Sequence, residues 1–255
     1  MDPTVRFAEL VQRPDTEIPL DEAMFAIAAH DHDVDLAAQL ARVDMLAAGA
    51  PAEPDALARY LFVDEDYSGN DVDYTDPRNS YLDAVLDRRL GIPITLSILM
   101  IEVGRRRGAV LTGIGMPGHF LVGGGPGVYY DPFHRGARLD RAGVRGLFAA
   151  QRGDSAFNES FLDPVGPRAV LARVLANLLH SFVDREPGSA VWAARLRLRI
   201  PGLSPAERRD IAALLGSLGH FAEAATELES LVGVLDAGGA ERAAREAAAL
   251  RARAN

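Results

Sequence analysis

The stretch GIPITLSILMIEVGRRRG, residues 91–108, carries the start and stop signals of a single helix. Pro93 stands in its first turn, where the missing N–H costs nothing, and the arginines at 105–107 complement the dipole of its last turn. Gly108 follows as a stop signal. The middle, from Ile94 to Val103, is apolar nearly all round, which is typical of a helix at the centre of a domain.

Three short runs rich in β-branched and aromatic residues follow this helix. They are AVLTGIG (109–115), HFLVG (119–123) and GVYYDPF (127–133), separated by glycine and proline. Runs of this kind predict antiparallel strands, here packed against the central helix. The fold class predicted for this region of the chain is α+β.

The last two runs form a predicted hairpin that carries one histidine and one aspartate. Its turn, GGGPG, is centred on Gly125, so that His119 and Asp131 lie six residues to either side. With symmetric pairing the two residues are directly opposed, with Cβ atoms about 4.5 to 5.5 Å apart. At that distance the aspartate can fix the tautomer of the imidazole and raise its basicity.

Helical spacing of apolar residues predicts three helices between Thr16 and Tyr60. The acidic segment VDEDYSGNDVDYTDPRNSY, residues 63–81, has no period and predicts a long surface loop that leads into a helix near 80–89. Beyond Pro167 the pattern is helical throughout, and Ser204 with Glu207 forms a capping box. The predicted helices there are 168–183, 190–199, 205–217, 221–235 and 241–254. We therefore divide the chain into a first domain, 1–165, and an all-α domain, 166–255. The first domain has a helical N-terminal region, 1–62, and a core, 74–140.

Composition excludes several function classes. The 255 residues are 48% hydrophobic and 25% charged, with a net charge of −9, so that a clustered basic face for nucleic acid is not expected. The chain has no cysteine and no lysine, which excludes thiolate and Schiff-base chemistry. No signal-peptide pattern opens the chain, and the longest apolar run is too short to span a bilayer. We predict a cytoplasmic protein with no membrane partner.

Residues 74–133 closely resemble the bacterial SirB-type branch of the transglutaminase-like superfamily. The resemblance implies a papain-like domain, with a central helix against antiparallel strands, followed by a tetratricopeptide-like helical domain at whose start RVLANLL and ERRD stand. It also implies a cysteine nucleophile at the N-terminus of the central helix, a position that falls here at Pro93 or Ile94. His119 matches the general-base histidine of the family and Asp131 its orienting carboxylate.

Two interpretations of the His119–Asp131 pair remain open at this stage. The pair is either an inherited buried hydrogen bond or the remainder of a working site. A working site needs another attacking group, and the candidates are the hydroxyls of Thr95, Ser97 and Ser80, or a water molecule.

Metal and cofactor patterns are weak throughout the sequence. His30 and His32 flank Asp31, but at that spacing the two side chains point apart on a helix. The segment from Asp64 begins like a calcium loop but has Thr75 in place of the bidentate glutamate. We therefore predict no metal ion and no cofactor.

The leading functional hypothesis is a degenerate, non-cysteine transglutaminase-like protein that binds a protein or peptide partner through its helical domain. A concave helical-repeat surface is a usual peptide-binding site, with Trp192 and the leucines of RLRLRI as its core and groove. The alternative is a hydrolase or acyltransferase in which His119 is the base, Asp131 the orienting group and a serine, threonine or water the attacking group.

Overall fold

The computed structural model describes residues 2–153 and 155–254, which form helices and short strands. The helices are α1 Pro3–Val11, α2 Leu20–Ala28, α3 Leu36–Gly49, α4 Pro54–Arg59, α5 Leu82–Arg88, α6 Pro93–Arg106, α7 Arg141–Arg152, α8 Pro167–Arg185, α9 Pro187–Arg197, α10 Pro205–Ser217, α11 Phe221–Leu231 and α12 Ala237–Ala254. The strands are β1 Ser68–Gly69, β2 Leu90–Gly91, β3 Thr112–Ile114, β4 Leu121–Gly125, β5 Val128–Asp131, β6 Ala137–Leu139 and β7 Pro164–Val165. The chain divides into two compact units, Met1–Asn177 and Leu178–Asn255, and the division falls inside α8.

Helix α6 is the centre of the first unit, as the sequence predicts. It begins with Pro93 and ends with Arg106, and all of its residues from Pro93 to Met100 are buried. It packs against α2, α3, α4 and α5 on its helical side and against β3 and β4 on the other. Each fully buried leucine or isoleucine in such a helix contributes about 1.5 to 3 kcal/mol of burial free energy, which explains why it has no polar face.

A five-stranded antiparallel sheet in the order β6-β5-β4-β3-β7 covers α6. The three predicted strands β3, β4 and β5 are its middle, so the α+β prediction is confirmed. The edge strands β6 and β7 are three and two residues long. Strands this short show no period in the sequence, and we predicted neither of them.

The acidic segment 63–81 differs from the surface loop that we predicted. Its strand β1 pairs in parallel with β2, immediately before α6, and Asn70 and Asn79 are 5% and 0% exposed. Asn70 Nδ2 donates to Asn79 Oδ1 at 3.0 Å, and Asn79 Nδ2 donates to the carbonyl of Asp73 at 2.8 Å. The two amides satisfy polar groups that would otherwise be left unpaired in the interior. Part of the segment is therefore anchored inside the fold, while other positions, such as Val72 at 99% exposure, are on the surface as predicted.

The helical predictions at the two ends of the chain are confirmed in outline. Helices α2, α3 and α4 are the three expected before Tyr60, while α1, capped by the Asp2 side chain, was not predicted. In the second unit α10 packs on α11 and α11 on α12, and the Ser204–Glu207 capping box is present. Within the described ranges, no helix is long and apolar enough to cross a membrane.

Candidate active site

The hairpin of β4 and β5 is irregular at its turn. Val122 pairs with Tyr130 and Gly123 with Tyr129, and the register shifts between Gly123 and Gly125. His119 lies two residues before β4, outside the ladder. The predicted direct opposition of His119 and Asp131 is therefore wrong as a register. Gly125 pairs with Val128, so the turn lies beyond the predicted centre at Gly125, and the pairing of Val122 with Tyr130 places Leu121 opposite Asp131.

His119 and Asp131 nevertheless meet. The Nε2 atom of His119 is 2.9 Å from Oδ1 of Asp131, and the two residues are 3% and 2% exposed. A turn in which the N–H of His119 donates to the carbonyl of Met116 brings the imidazole back over the end of β5. Arg173 of α8 holds this turn, since its guanidinium donates to the carbonyls of Met116 and His119 at 3.0 and 2.8 Å.

A second histidine that we did not predict completes the site. His134 Nδ1 lies 2.7 Å from Oδ2 of Asp131, and its side chain is 53% exposed. The backbone N–H groups of Phe133 and His134 donate to Oδ1 of the same carboxylate at 3.1 and 3.3 Å. The two imidazole rings stack at 5.7 Å between centroids, with an interplanar angle of 27°. We call His119, Asp131 and His134 the histidine–aspartate cluster.

The second ring nitrogen of His119 is also occupied. The side-chain amide of Gln151, on α7, donates through Nε2 to His119 Nδ1 at 3.2 Å. An amide nitrogen only donates, so Nδ1 accepts and the ring proton sits on Nε2, facing Asp131. In this tautomer His119 has no free lone pair with which to remove a proton from another group.

Hydrogen bonds control the charge of Asp131. Burial by itself would raise the pKa of this carboxyl, but the hydrogen bonds and charges of His119 and His134 outweigh burial and lower the pKa below its usual 3.8. Asp131 is therefore an anion at neutral pH, although it is almost fully buried.

The N-terminus of α6 is connected to this cluster through β1. Gly69 pairs with Gly91, just before the helix, and its N–H donates to the carbonyl of Phe133 at 3.2 Å. A Cβ on Gly69 would lie 2.6 Å from the Phe133 ring, so only glycine fits at this position. The Phe133 ring in turn meets the edge of the His119 ring at 6.1 Å between centroids.

The three predicted hydroxyls are all buried. Thr95 and Ser97 are 0% exposed on α6, and neither hydroxyl has a hydrogen-bond partner. Ser80 is 2% exposed at the end of a 3-10 turn, Pro77–Ser80. Since both ring nitrogens of His119 have other partners, the structure brings together His119 and Asp131 without hydrogen-bonding either of the α6 hydroxyls to the imidazole.

The histidines at the end of α2 turn to separate partners. His30 shares hydrogen bonds with the carbonyl of Ala26 at 2.8 Å and with the hydroxyl of Thr4 at 3.1 Å. His32 Nε2 lies 2.6 Å from Asp83, and the Asp83 hydrogen bond helps to raise the pKa of this imidazole against the effect of burial. These contacts fix the two histidines in different directions, as their spacing indicates.

The sequence analysis did not predict three residues of the site. His134 follows Asp131 by three residues in DPFH, a spacing at which an aspartate accepts from the next turn, and this signal was available. Gln151 lies on α7, a helix that we did not predict. Arg173 is one of many arginines on the helical segments, and nothing in its sequence context distinguishes it.

A family model described as the transglutaminase-like superfamily matches residues 29–176. The chain is 38% identical over 188 residues to a UPF0162 protein of Xylella fastidiosa (strain Temecula1), which covers 70% of this chain and 66% of that protein. It is 31% identical over 137 residues to a UPF0162 protein of Vibrio cholerae, covering 52% of this chain and 50% of the relative.

The match to a human relative covers a smaller part of that protein. F-box only protein 21 of Homo sapiens is 30% identical over 136 residues, which are 49% of this chain and 21% of that protein. The chain thus spans less than two thirds of the length of each of these three relatives. No solved structure matches the chain. The matched region contains α6, the sheet strands β3 to β7 and the whole histidine–aspartate cluster, and the chain belongs to the transglutaminase-like superfamily.

Proposed function

We propose that this chain is a SirB-type member of its superfamily that acts by binding a protein or peptide, and that it does not hydrolyse its partner. The observation that carries the proposal is the first turn of α6. Pro93 and Ile94 stand where the family resemblance implies the cysteine nucleophile, and both are buried. Neither side chain can attack a carbonyl carbon, while the two ring nitrogens of His119 are held by Asp131 and Gln151.

The hydrolase or acyltransferase alternative has less support. A general base has to reach the proton that it removes, at about 2.6 to 3.2 Å or through one water. Thr95 and Ser97 are fully buried with unpaired hydroxyls, and Nδ1 of His119, the ring nitrogen that would act as the base, already accepts a hydrogen bond from Gln151. A working enzyme would therefore need both the displacement of the Gln151 amide from His119 and an opening of the core around α6.

The second unit offers a binding surface of the kind expected of tetratricopeptide-like helices. Successive helices α9 to α12 pack on one another, and a groove of about 300 Å³ opens on the unit. It is lined by Leu198, Leu215, Ala222, Glu223, Thr226, Glu227 and Arg251. Its lining combines apolar side chains with charges of both signs, a composition that is usual for a peptide-binding groove.

Peptide panning tests this proposal. A random peptide library is selected on the immobilised full chain, and enriched peptides are measured against two variants. Ala222→Trp fills the groove from an exposed helical position, and Ala244→Trp makes the same change at an exposed position of α12 outside the groove. We expect Ala222→Trp to weaken binding at least about tenfold and Ala244→Trp to leave it within about twofold.

Two outcomes would contradict the proposal. One is that the selection enriches no peptide with saturable binding. The other is that the enriched peptides bind Ala222→Trp as tightly as they bind the original chain. Circular dichroism of both variants shows whether the helices are preserved.

A further inference from the structure

We propose that the histidine–aspartate cluster binds a divalent transition-metal ion, zinc in the first instance. The ligands are His119 Nε2, one carboxylate oxygen of Asp131 and His134 Nδ1. One atom from each residue lies within 4.8 Å of the other two. This inference is independent of the peptide-binding proposal, because it concerns the first unit and does not involve the groove.

The distances fit a metal after a movement of the side chains. Ligand atoms about 2.1 Å from a shared tetrahedral ion are roughly 3.4 Å apart. His134 Nδ1 lies 2.7 Å from Oδ2 of Asp131 and His119 Nε2 lies 2.9 Å from the other oxygen, Oδ1. The three ligand atoms lie within 4.8 Å of one another, so their separations need to change by about 1.4 Å or less. Two imidazoles on one metal also place their ring centres about 5 to 6 Å apart, and the centroids of His119 and His134 are separated by 5.7 Å.

Each of the two imidazoles can carry its proton on the ring nitrogen that does not bind the metal. Each imidazole now directs an N–H at Asp131, and a metal needs the lone pair of that nitrogen instead. Each ring can stay neutral by carrying its proton on the opposite nitrogen. For His134 this is Nε2 on a half-exposed side chain, and for His119 it is Nδ1, which faces Gln151.

Gln151 is suited to support that change. If its amide flips, exchanging oxygen and nitrogen, the oxygen accepts a hydrogen bond from the His119 Nδ1–H, as carboxylates and carbonyls do behind histidine ligands. Asp131 also keeps its support, since Oδ1 still accepts from the backbone N–H groups of Phe133 and His134 while Oδ2 binds the ion. The site therefore has an outer layer of hydrogen bonds in addition to three ligands.

The nature of the ligands selects the ion. Two imidazoles and one carboxylate suit zinc, cobalt, nickel and ferrous iron, whereas magnesium and calcium prefer all-oxygen sites. Three protein ligands leave at least one coordination position for water or for a group of a bound partner. The 53% exposure of the His134 side chain provides the route by which the ion enters.

Cobalt(II) is the probe for the test, because its visible d–d absorption reports coordination by protein nitrogen. The full chain, freed of metal with a chelator, is titrated with cobalt chloride, and zinc chloride is then added as a competitor. We expect saturation at one equivalent, loss of the bands on addition of zinc, and at least about tenfold weaker binding in His134→Gln. His32→Gln is the matched control, because His32 is also part-exposed and held by two carboxylates, Asp83 and Asp31.

Gln151 gives a second test, in which two substitutions act in opposite directions. Gln151→Glu places a carboxylate behind His119 and should strengthen cobalt binding, while Gln151→Leu should weaken it by about tenfold or more. The proposal is overturned if no saturable cobalt spectrum appears, if His134→Gln binds as tightly as the original chain, or if His32→Gln loses binding equally.

Discussion

Glu102 and Asp131 are both almost fully buried carboxylates in ion-pair networks, but their surroundings differ in kind. Glu102, at the C-terminal end of α6, accepts from Arg105 and Arg106 and from the N–H of Leu20, beside the buried Asp21. Burial raises the pKa of Glu102, and the charge of Asp21 raises it further against the effect of the arginines. Asp131, in contrast, is surrounded by imidazoles and backbone N–H groups, and its pKa is lowered.

The difference separates a structural network from an adaptable one. The guanidinium groups around Glu102 are permanent cations that never release a proton, so the cations of this network keep their charge at every pH considered. The partners of Asp131 are histidines, whose protons can be exchanged for a metal ion. The network around Glu102 fixes α2 to α6. The histidine–aspartate cluster is the part of the fold whose protons can be exchanged for a metal ion.

The largest effect is expected from breaking the network around Glu102. Arg106 pairs with Asp21 and Glu102, which are 1% and 2% exposed, and also with Asp44. Because Arg106→Met leaves two buried carboxylates without this cation, we expect a loss of about 3 to 5 kcal/mol in the free energy of unfolding. Urea denaturation measures it. The control is Arg107→Met, at an exposed position. An equal loss in the free energy of unfolding in both variants would contradict a structural role for the network around Glu102.

A smaller loss is expected in the adaptable network. In Asp131→Asn the histidines and two backbone N–H groups lose an anionic acceptor but keep one amide oxygen in place. We expect a loss of about 1 to 3 kcal/mol, measured by urea denaturation at neutral pH. Asp66→Asn is the matched control, because Asp66 is an exposed carboxylate with a single ion pair, to Arg135. A loss in Asp131→Asn larger than that in Arg106→Met would reverse the comparison.

The two carboxylates also predict opposite dependences of stability on pH. The lowered pKa of Asp131 gives stability that is present above its usual value of 3.8 and is lost as the pH falls through the folded-state value. The raised pKa of Glu102 gives a contribution that is fully present below 4.5 and is lost as the pH rises above it.

Denaturation of three proteins at a series of pH values checks these signs. We expect Asp131→Asn to lose part of the acid-induced fall in stability that the original chain shows. We expect Glu102→Gln to remove a decline that begins above pH 4.5. Identical slopes in all three proteins would show that neither carboxylate has a shifted pKa.

The smallest effect is expected at the exposed histidine of the cluster. His134→Gln removes one partner of Asp131 from a side chain that is 53% exposed, and we expect its free energy of unfolding to change by less than about 1 kcal/mol. His119→Gln, at a residue that is 3% exposed, should cost more. Thermal denaturation without metal compares the two, and equal losses would contradict the division into a buried and an exposed partner.

Local signals in the sequence account for most of the fold. The proline and arginines of α6, the capping box at Ser204 and the glycine-separated strands all act over a few residues, and each of these predictions is confirmed. The edge strands β6 and β7 and the parallel pair β1 and β2 have no local period. Residues far apart in the chain hold them in place, so pattern analysis of one sequence could not predict them.

The candidate site was predictable only to a limited extent. His119 and Asp131 flank one hairpin turn, and they meet although the predicted register is wrong, because the turn at 116–119 brings the imidazole back to the carboxylate. His134 could have been predicted from the sequence, since it is three residues from Asp131. Gln151 and Arg173 come from α7 and α8, and their contacts with His119 depend on how these helices pack on the sheet.

The measurement that tests the account most directly is turnover by the metal-free chain. Ester, thioester and amide substrates are incubated with chelator-treated protein and with His119→Gln, which removes the only imidazole that the family resemblance assigns to catalysis. We expect both proteins to release product at the rate of buffer alone. Turnover by the original chain that disappears in a folded His119→Gln variant would contradict a binding role without catalysis and would make the histidine–aspartate pair a working catalytic site.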